Sequence, residues 1–81
     1  MNKEKIKEDI FEVIIKNIDE ERSKLNQNSK VYDFELWDSI AHVKILLEIS
    51  KKFKIKIPGT LFGNLTSVED ISNFIIKKIN K

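Results

Sequence analysis

Cysteine is absent from this sequence of 81 residues, and histidine occurs once, at His42. The chain can therefore form neither a disulfide nor a thiolate metal site, and a single histidine would need several well-placed carboxylates to bind zinc. No apolar run approaches the roughly 20 residues of a membrane-spanning helix. Residues 1–7 are charged and lack the apolar stretch of a secretory signal. These absences predict a cytoplasmic protein with no membrane partner and no metal site.

The sequence also lacks a large excess of either positive or negative charge. The 15 basic and 13 acidic residues give a formal net charge of +2, which does not indicate a nucleic-acid partner. The length allows one small domain, predicted over residues 1–81, and the apolar share of 41% is enough for one core. A monomer is the simplest expectation for such a domain.

Apolar residues recur at steps of three and four in three segments, which is the pattern of amphipathic helices. The first predicted helix runs from Lys3 to Asp19 and the last from about Thr66 to Asn80. Thr66 and Glu69 have the spacing of a capping box at the start of the last helix. The apolar faces of these two helices consist of Ile6, Ile10, Val13, Ile14 and Ile18, and of Val68, Ile71, Phe74, Ile75 and Ile79.

The second predicted helix runs from Ser39 to Phe53 and is stopped by Pro58 and Gly59. Ile40 and Leu47, seven residues apart, lie on a stripe beside its inner face and are expected to be partly exposed. The predicted inner stripe consists of Val43, Leu46, Ile49 or Ser50, and Phe53.

The connections complete the predicted architecture. Residues 20–37 form a long loop, and its aromatic residues indicate that it packs on the core. Residues 60–64 have room only for a turn or a single-turn helix. The fold class is therefore all-α: a small four-helix bundle of three main helices and one short helix, with a long loop between the first two.

The most informative local feature is the pair Asp38-Ser39 at the start of the second helix. Asp and Ser cap helix starts because their side-chain oxygens accept hydrogen bonds from free backbone N–H groups. A serine there has its hydroxyl at the surface, beside the positive end of the helix dipole, where a phosphate group is stabilised. The residues alone leave two interpretations of Ser39: an ordinary cap, or a site that carries a phosphate.

Three stretches resemble acyl carrier proteins. Residues 36–43, LWDSIAHV, are similar to the motif in which Asp-Ser-Leu begins the second helix, with Ile40 in place of the usual leucine. Residues 48–58, EISKKFKIKIP, resemble the end of that helix and the Ile-Pro corner, and residues 65–71, LTSVEDI, resemble the start of the last helix. The order and spacing of all three are more specific than any short motif alone.

The resemblance implies that Ser39 carries a covalent 4′-phosphopantetheine cofactor and that Asp38 supports its attachment. The partners implied are a phosphopantetheinyl transferase, which supplies the catalysis with coenzyme A and Mg²⁺, and the acyl-loading and acyl-using enzymes. The protein itself would not be an enzyme and would have no catalytic residue. Its cargo, an acyl group, would be held as a thioester on the thiol of the arm.

Residues near Ser39 have more than one interpretation. Ile40, Leu47 and Trp37 are predicted partner contacts, although Trp37, like Phe34, is also interpreted as a packing residue of the long loop. Val43, Leu46, Ile49, Phe53 and Ile71 are core residues first, and the resemblance adds an acyl channel lined by some of them. His42 is interpreted as an exposed side chain with no special task.

One departure from the family concerns charge. Carriers of fatty-acid synthesis present an acidic second helix, whereas this helix has Glu48, with Asp38 before it, against Lys44, Lys51 and Lys52. The difference predicts a specialised carrier, because complementary charge governs the choice of partner. Two alternatives stay open: an aminoacyl or peptidyl carrier, and a helical interaction domain in which Ser39 is only a cap.

Overall fold

The computed structural model describes residues 2–80, and the predicted all-α class is confirmed. Between those residues the only β-type pairing is an isolated bridge between Lys30 and Ser67. The ends of the predicted domain, Met1 and Lys81, lie outside the described residues. The three α-helices are α1 (Lys3–Ile18), α2 (Ser39–Phe53) and α3 (Val68–Ile79).

Helix α1 is the central element, since both α2 and α3 make their main contacts with it. Asn2 caps its start by accepting a hydrogen bond from the Lys5 N–H at 2.7 Å. Asp19 ends it in the left-handed conformation, with φ of 54°. All five predicted inner residues are buried, so the period of this helix was predicted correctly: Ile6, Ile10, Val13, Ile14 and Ile18.

The inner face of α2 differs from the prediction at its first position and also includes Ile45. Val43, predicted to be inside, is 41% exposed, whereas His42 is 5% exposed and Ile45 is fully buried. Leu46 and Ile49 are buried as predicted, and Phe53 is partly buried. Successive residues of a helix lie about 100° apart, so Val43 and His42 cannot both point into the protein. The apolar side chain of Val43 favoured its prediction as an inner residue. His42 is buried instead, because both of its ring nitrogens have hydrogen-bond partners.

The long connection packs on the core, as predicted. Leu25, Ser29 and Trp37 are buried, and Val31 and Phe34 pack against the core from its edge. A short 3₁₀ turn, Arg22–Lys24, was not predicted. The Arg22 guanidinium lies 3.5 Å from the centroid of the Phe11 ring, which fixes this turn against α1.

The start of α3 is displaced by one residue from the prediction. The cap is Ser67, whose hydroxyl accepts from the Asp70 N–H at 3.0 Å, and not Thr66. The long connection explains the shift, because its backbone binds this segment. The Thr66 carbonyl accepts from the Val31 N–H at 3.0 Å, which holds Thr66 outside the helix.

The predicted short helix is present as a single 3₁₀ turn, which is much shorter than the three α-helices. A 3₁₀ turn, Gly59–Leu61, follows Pro58 and continues as turns to Asn64. No helix within residues 2–80 is long and apolar enough to cross a bilayer. The result is a bundle of three helices whose connections bring the start of α2 close to the segment before α3.

Candidate functional site

Asp38 is the cap of α2. Its backbone is extended, with φ of −96° and ψ of −173°, and its Oδ1 accepts from the Ala41 N–H at 2.9 Å. Its carbonyl accepts the first bond of the helix, from the His42 N–H at 2.9 Å. Ser39 therefore occupies the first helical position, and the interpretation of Ser39 as the ordinary cap is wrong.

The Ser39 hydroxyl is free for other chemistry. The residue is exposed, and its side chain makes no hydrogen bond with the rest of residues 2–80. The N–H groups of Ser39 and Ile40 also find no acceptor in that part of the chain. Two free donors and the positive end of the helix dipole thus surround one uncommitted hydroxyl, an arrangement that favours an added negative charge.

Trp37 and His42 lie on either side of Asp38-Ser39 and are bonded to each other in the core. The Trp37 Nε1–H donates to His42 Nδ1 at 3.0 Å, and His42 Nε2 lies 2.8 Å from the Leu65 carbonyl oxygen. Trp37 is fully buried and His42 is 5% exposed. The prediction of an exposed His42 is therefore wrong. So is the prediction of Trp37 as a partner contact, whereas its alternative interpretation as a packing residue is confirmed.

The two partners determine the protonation of His42. An indole N–H only donates and a carbonyl only accepts, so Nδ1 must be unprotonated and Nε2 must carry the proton. The ring is consequently neutral. Burial lowers the pKa of His42 below its ordinary value of 6.5, and the bond to the Leu65 carbonyl opposes this only in part.

A groove of about 320 Å³ lies beside Ser39, and we call it the Ser39 groove. It separates α2 from the long connection and from the turn after Gly59–Leu61. Tyr32 holds its edge with a left-handed backbone, φ of 75°, and its N–H donates to the Trp37 carbonyl at 2.6 Å. The side chains along the groove are mainly apolar or small, and they are Val31, Tyr32, Ser39, His42, Val43, Phe62 and Thr66.

The solvent-facing side of α2 is apolar and cationic. Ile40 is 68% exposed and Leu47 is 51% exposed, in agreement with their predicted exposure; their role as partner contacts stays a prediction. Lys44 and Lys51 are also exposed. Lys44 lies between Ile40 and Leu47 in the sequence, and Lys51 follows Leu47 by one turn. Because a helix turns by about 100° per residue, all four lie on the same side of α2. We call these four residues, with Val43 at their edge, the outer face of α2.

The one acidic residue within α2 is paired with α1. Glu48 accepts from Lys16 Nζ at 2.8 Å and from Asn17 Nδ2 at 3.1 Å, both on α1. The bond to Lys16 holds the pKa of Glu48 below its ordinary value. The nearby charge of Lys51 adds a smaller part to the same lowering of the pKa, so Glu48 offsets the lysines of the outer face only in part. No three carboxylate or imidazole side chains in residues 2–80 converge as a metal site would require.

No protein-family model matches the chain. Curated proteins named acyl carrier protein match it almost end to end. That of Chloroherpeton thalassium is 26% identical over 96% of this chain and 98% of its own length, and that of Chlorobium phaeobacteroides is 24% identical over 96% and 100%. That of Campylobacter concisus is 26% identical over 86% and 91%. The predicted resemblance is confirmed, and the proteins that the chain resembles are carriers rather than enzymes.

Sequence reasoning found Asp38 and Ser39 but missed the bond between Trp37 and His42. Both residues were singled out, but each was considered alone. The signal was their spacing of five across a helix start, which places one ring before the cap and the other in the first turn. Only the position of Leu65, 23 residues further on, made burial of the histidine favourable.

Proposed function

We propose that this protein is an acyl carrier, with 4′-phosphopantetheine attached to Ser39 and an acyl group held on that arm as a thioester. The observation that carries the proposal is the uncommitted, exposed hydroxyl of Ser39 at the first position of α2. Asp38 supplies the cap, so the serine is not required for the helix. The end-to-end similarity to acyl carrier proteins supports the same role.

The residues around Ser39 fit the group. In the attachment step, Ser39 Oγ forms a bond to the β-phosphorus of coenzyme A, and the bond from that phosphorus to adenosine 3′,5′-bisphosphate breaks. The hydroxyl proton passes to a base of the transferase, which supplies the catalysis. The resulting phosphodiester would lie at the positive end of α2, beside the free N–H groups of Ser39 and Ile40.

Intact-mass spectrometry tests the attachment. The purified protein, incubated with coenzyme A, Mg²⁺ and a promiscuous phosphopantetheinyl transferase, is expected to gain one phosphopantetheine. Ser39→Ala should gain none. The matched control is Ser23→Ala, which removes another exposed serine, in the turn Arg22–Lys24, and should be modified at the parental rate. Modification of Ser39→Ala, or refusal of the parent by every competent transferase, would overturn the proposal.

The cargo separates an acyl carrier from an aminoacyl or peptidyl carrier. Protein purified from its source is measured by intact mass before and after hydroxylamine cleavage of thioesters. The acyl carrier proposal expects a hydroxylamine-sensitive mass without basic nitrogen. An amino acid released by hydroxylamine would favour the aminoacyl carrier instead.

The outer face of α2 supports a specialised pathway. Lys44 and Lys51 lie among its exposed apolar side chains, and Glu48 is paired with α1. A partner enzyme with a basic carrier-binding surface would be repelled by this face. We therefore propose partners other than the enzymes of bulk fatty-acid synthesis. The location in the cytoplasm, the monomeric state and the single domain stay predictions.

Transfer from a basic fatty-acid ketosynthase tests the pathway. The parent is expected to be a poor substrate, and the double variant Lys44→Glu/Lys51→Glu should be used about tenfold better at low salt, because the repulsion becomes attraction. The matched control is Lys77→Glu, an exposed lysine on α3, which should have little effect. Efficient use of the parent protein by this ketosynthase would contradict the proposal of a specialised carrier.

A further inference from the structure

The start of α2 is linked to the segment before α3 by a side-chain bridge. Trp37 donates to His42, and His42 reaches the Leu65 carbonyl, at 3.0 and 2.8 Å. Asp38 and Ser39 lie between the two bridging residues in the sequence. The main helix contacts of α2 and α3 are with α1, so this bridge spans the side of the bundle where Ser39 and the Ser39 groove lie.

We propose that His42 is a positioning residue for Ser39: through Trp37 and Leu65 it fixes the direction in which the first turn of α2 presents the serine hydroxyl. The inference rests on the proposed function, because it assigns a role in the attachment and display of the arm. His42 acts without contacting the reacting atoms.

The geometry excludes a role for His42 as the base that activates Ser39. Its Nδ1 lone pair accepts the Trp37 indole N–H, and its Nε2 proton is directed at Leu65. Neither ring nitrogen is left to accept the serine proton. The ring is three residues after Ser39, one turn along α2, so a small rotation of that turn would move the hydroxyl. Displacements of about 1 Å at a reacting group cost up to about a hundredfold in rate.

The bridge also requires neutral histidine. Protonation would place a hydrogen on Nδ1, against the Trp37 N–H, and the bond would be lost. No charged side chain within residues 2–80 adds to the influences of burial and the Leu65 carbonyl on the pKa of His42. Tyr32 is the other titratable residue along the groove, and the Asp38 carboxylate is directed to the Ala41 N–H.

The sign of the pH effect follows from the lowered pKa of His42. Above its ordinary value of 6.5 the ring is neutral in both the folded and the unfolded chain, and the full contribution of the bridge is present. As the pH falls below 6.5, the unfolded chain takes up a proton before the folded one, so the stability decreases. At still lower pH the folded ring is protonated and the bridge opens.

Two variants separate positioning from a merely structural role. His42→Gln keeps one acceptor and one donor, but it does not titrate. His42→Leu keeps the volume and leaves the Trp37 N–H and the Leu65 carbonyl without partners. Each folded protein is assayed with coenzyme A, Mg²⁺ and a promiscuous phosphopantetheinyl transferase, with kcat and KM measured for the carrier from pH 7.5 to pH 5.5.

His42→Leu is expected to lower kcat about tenfold with KM within about twofold, because the exposed side chains of the outer face of α2, the proposed partner surface, are unchanged. His42→Gln should stay within about threefold of the parent at pH 7.5. The ratio of parent to His42→Gln removes the pH dependence of the transferase itself. That ratio should stay constant between pH 7.5 and pH 6.5 and fall only at lower pH, where the folded parental ring becomes protonated.

Parental kcat and KM in His42→Leu, or a ratio that already falls between pH 7.5 and pH 6.5, would overturn the proposal. If His42→Leu does not fold, Trp37→Phe takes its place, because it removes the indole donor and keeps an aromatic ring; the same fall in kcat is required. Nitrogen NMR of the parent provides a readout independent of the transferase. A proton on Nδ1 instead of Nε2 at pH 7.5 would refute the bridge. An intact bridge in an unmodifiable parent would refute only the proposed function.

Discussion

The starts of α2 and α3 have similar sequences, but the serine hydroxyl is hydrogen-bonded at one and has no partner at the other. Both place a short polar side chain before an apolar helix. At α3 the Ser67 hydroxyl accepts from Asp70 N–H at 3.0 Å and is thereby occupied as the cap. At α2 the Asp38 carboxylate is the cap, and the hydroxyl of Ser39 is left without a partner in residues 2–80.

The free N–H groups of the two helices differ in the same way. The first two donors of α3, from Val68 and Glu69, are accepted by the carbonyls of Ser29 and Gln27, each at 2.9 Å. The corresponding donors of α2 have no acceptor in the described part of the chain. The long connection thus saturates one helix start and leaves the other open. Composition does not distinguish a capping serine from one with a free hydroxyl, but the hydrogen bonds of the neighbouring groups do.

The start of α2 is held by the buried hydrogen bond between Trp37 and His42. Removing this contact is expected to have the largest effect on stability. Trp37→Ala should lower the free energy of unfolding by about 3–5 kcal/mol, because a fully buried ring is lost and His42 loses its donor. Urea unfolding at pH 7.5 measures the change. The control, Leu36→Ala, truncates a neighbour that is 54% exposed and should stay within about 0.5 kcal/mol. Equal stability of the two variants would contradict the buried bridge.

Removing each serine in turn tests the contrast directly. Ser67→Ala should cost about 1 kcal/mol of stability, because the Asp70 N–H loses its cap. Ser39→Ala should cost less than about 0.5 kcal/mol, although it abolishes the proposed modification. Thermal unfolding of the two variants, side by side, gives the comparison. Should Ser39→Ala prove the more damaging to stability, the serine would be a cap after all.

The smallest expected effect comes from adding a charge at the open start. Ser39→Asp should raise the free energy of unfolding by about 0.3–1 kcal/mol relative to Ser39→Asn, because the free N–H groups and the helix dipole favour an anion. The proximity of Asp38 places the result at the lower end. Unfolding at 0.05 and 0.5 M NaCl should show the gain shrinking with salt. A loss of stability at low salt would show that this start does not accept negative charge.

The sequence predicted the elements better than their orientation. All five residues predicted for the inner face of α1 are buried because these isoleucine and valine positions leave one consistent period, although Asp9 and Phe11 are buried too and were not predicted. The face of α2 was predicted with Val43 in place of His42 because valine is the more apolar residue, and periodicity cannot anticipate that both nitrogens of a buried ring will be paired. The cap of α3 was assigned one residue early because Thr66 and Ser67 are chemically similar caps.

The sequence by itself determined three amphipathic helices, a serine directly after an aspartate at the start of the second, and an outer face with lysine in place of acid. Tertiary structure decided which serine is free, since Ser67 is engaged by α3 and Ser39 is not. It also decided that Trp37 and His42 lie inside. The reason is physical: hydrogen-bond partners such as Ser29, Gln27 and Leu65 are far away in the chain, and only folding brings their carbonyls to the helix starts and to the ring.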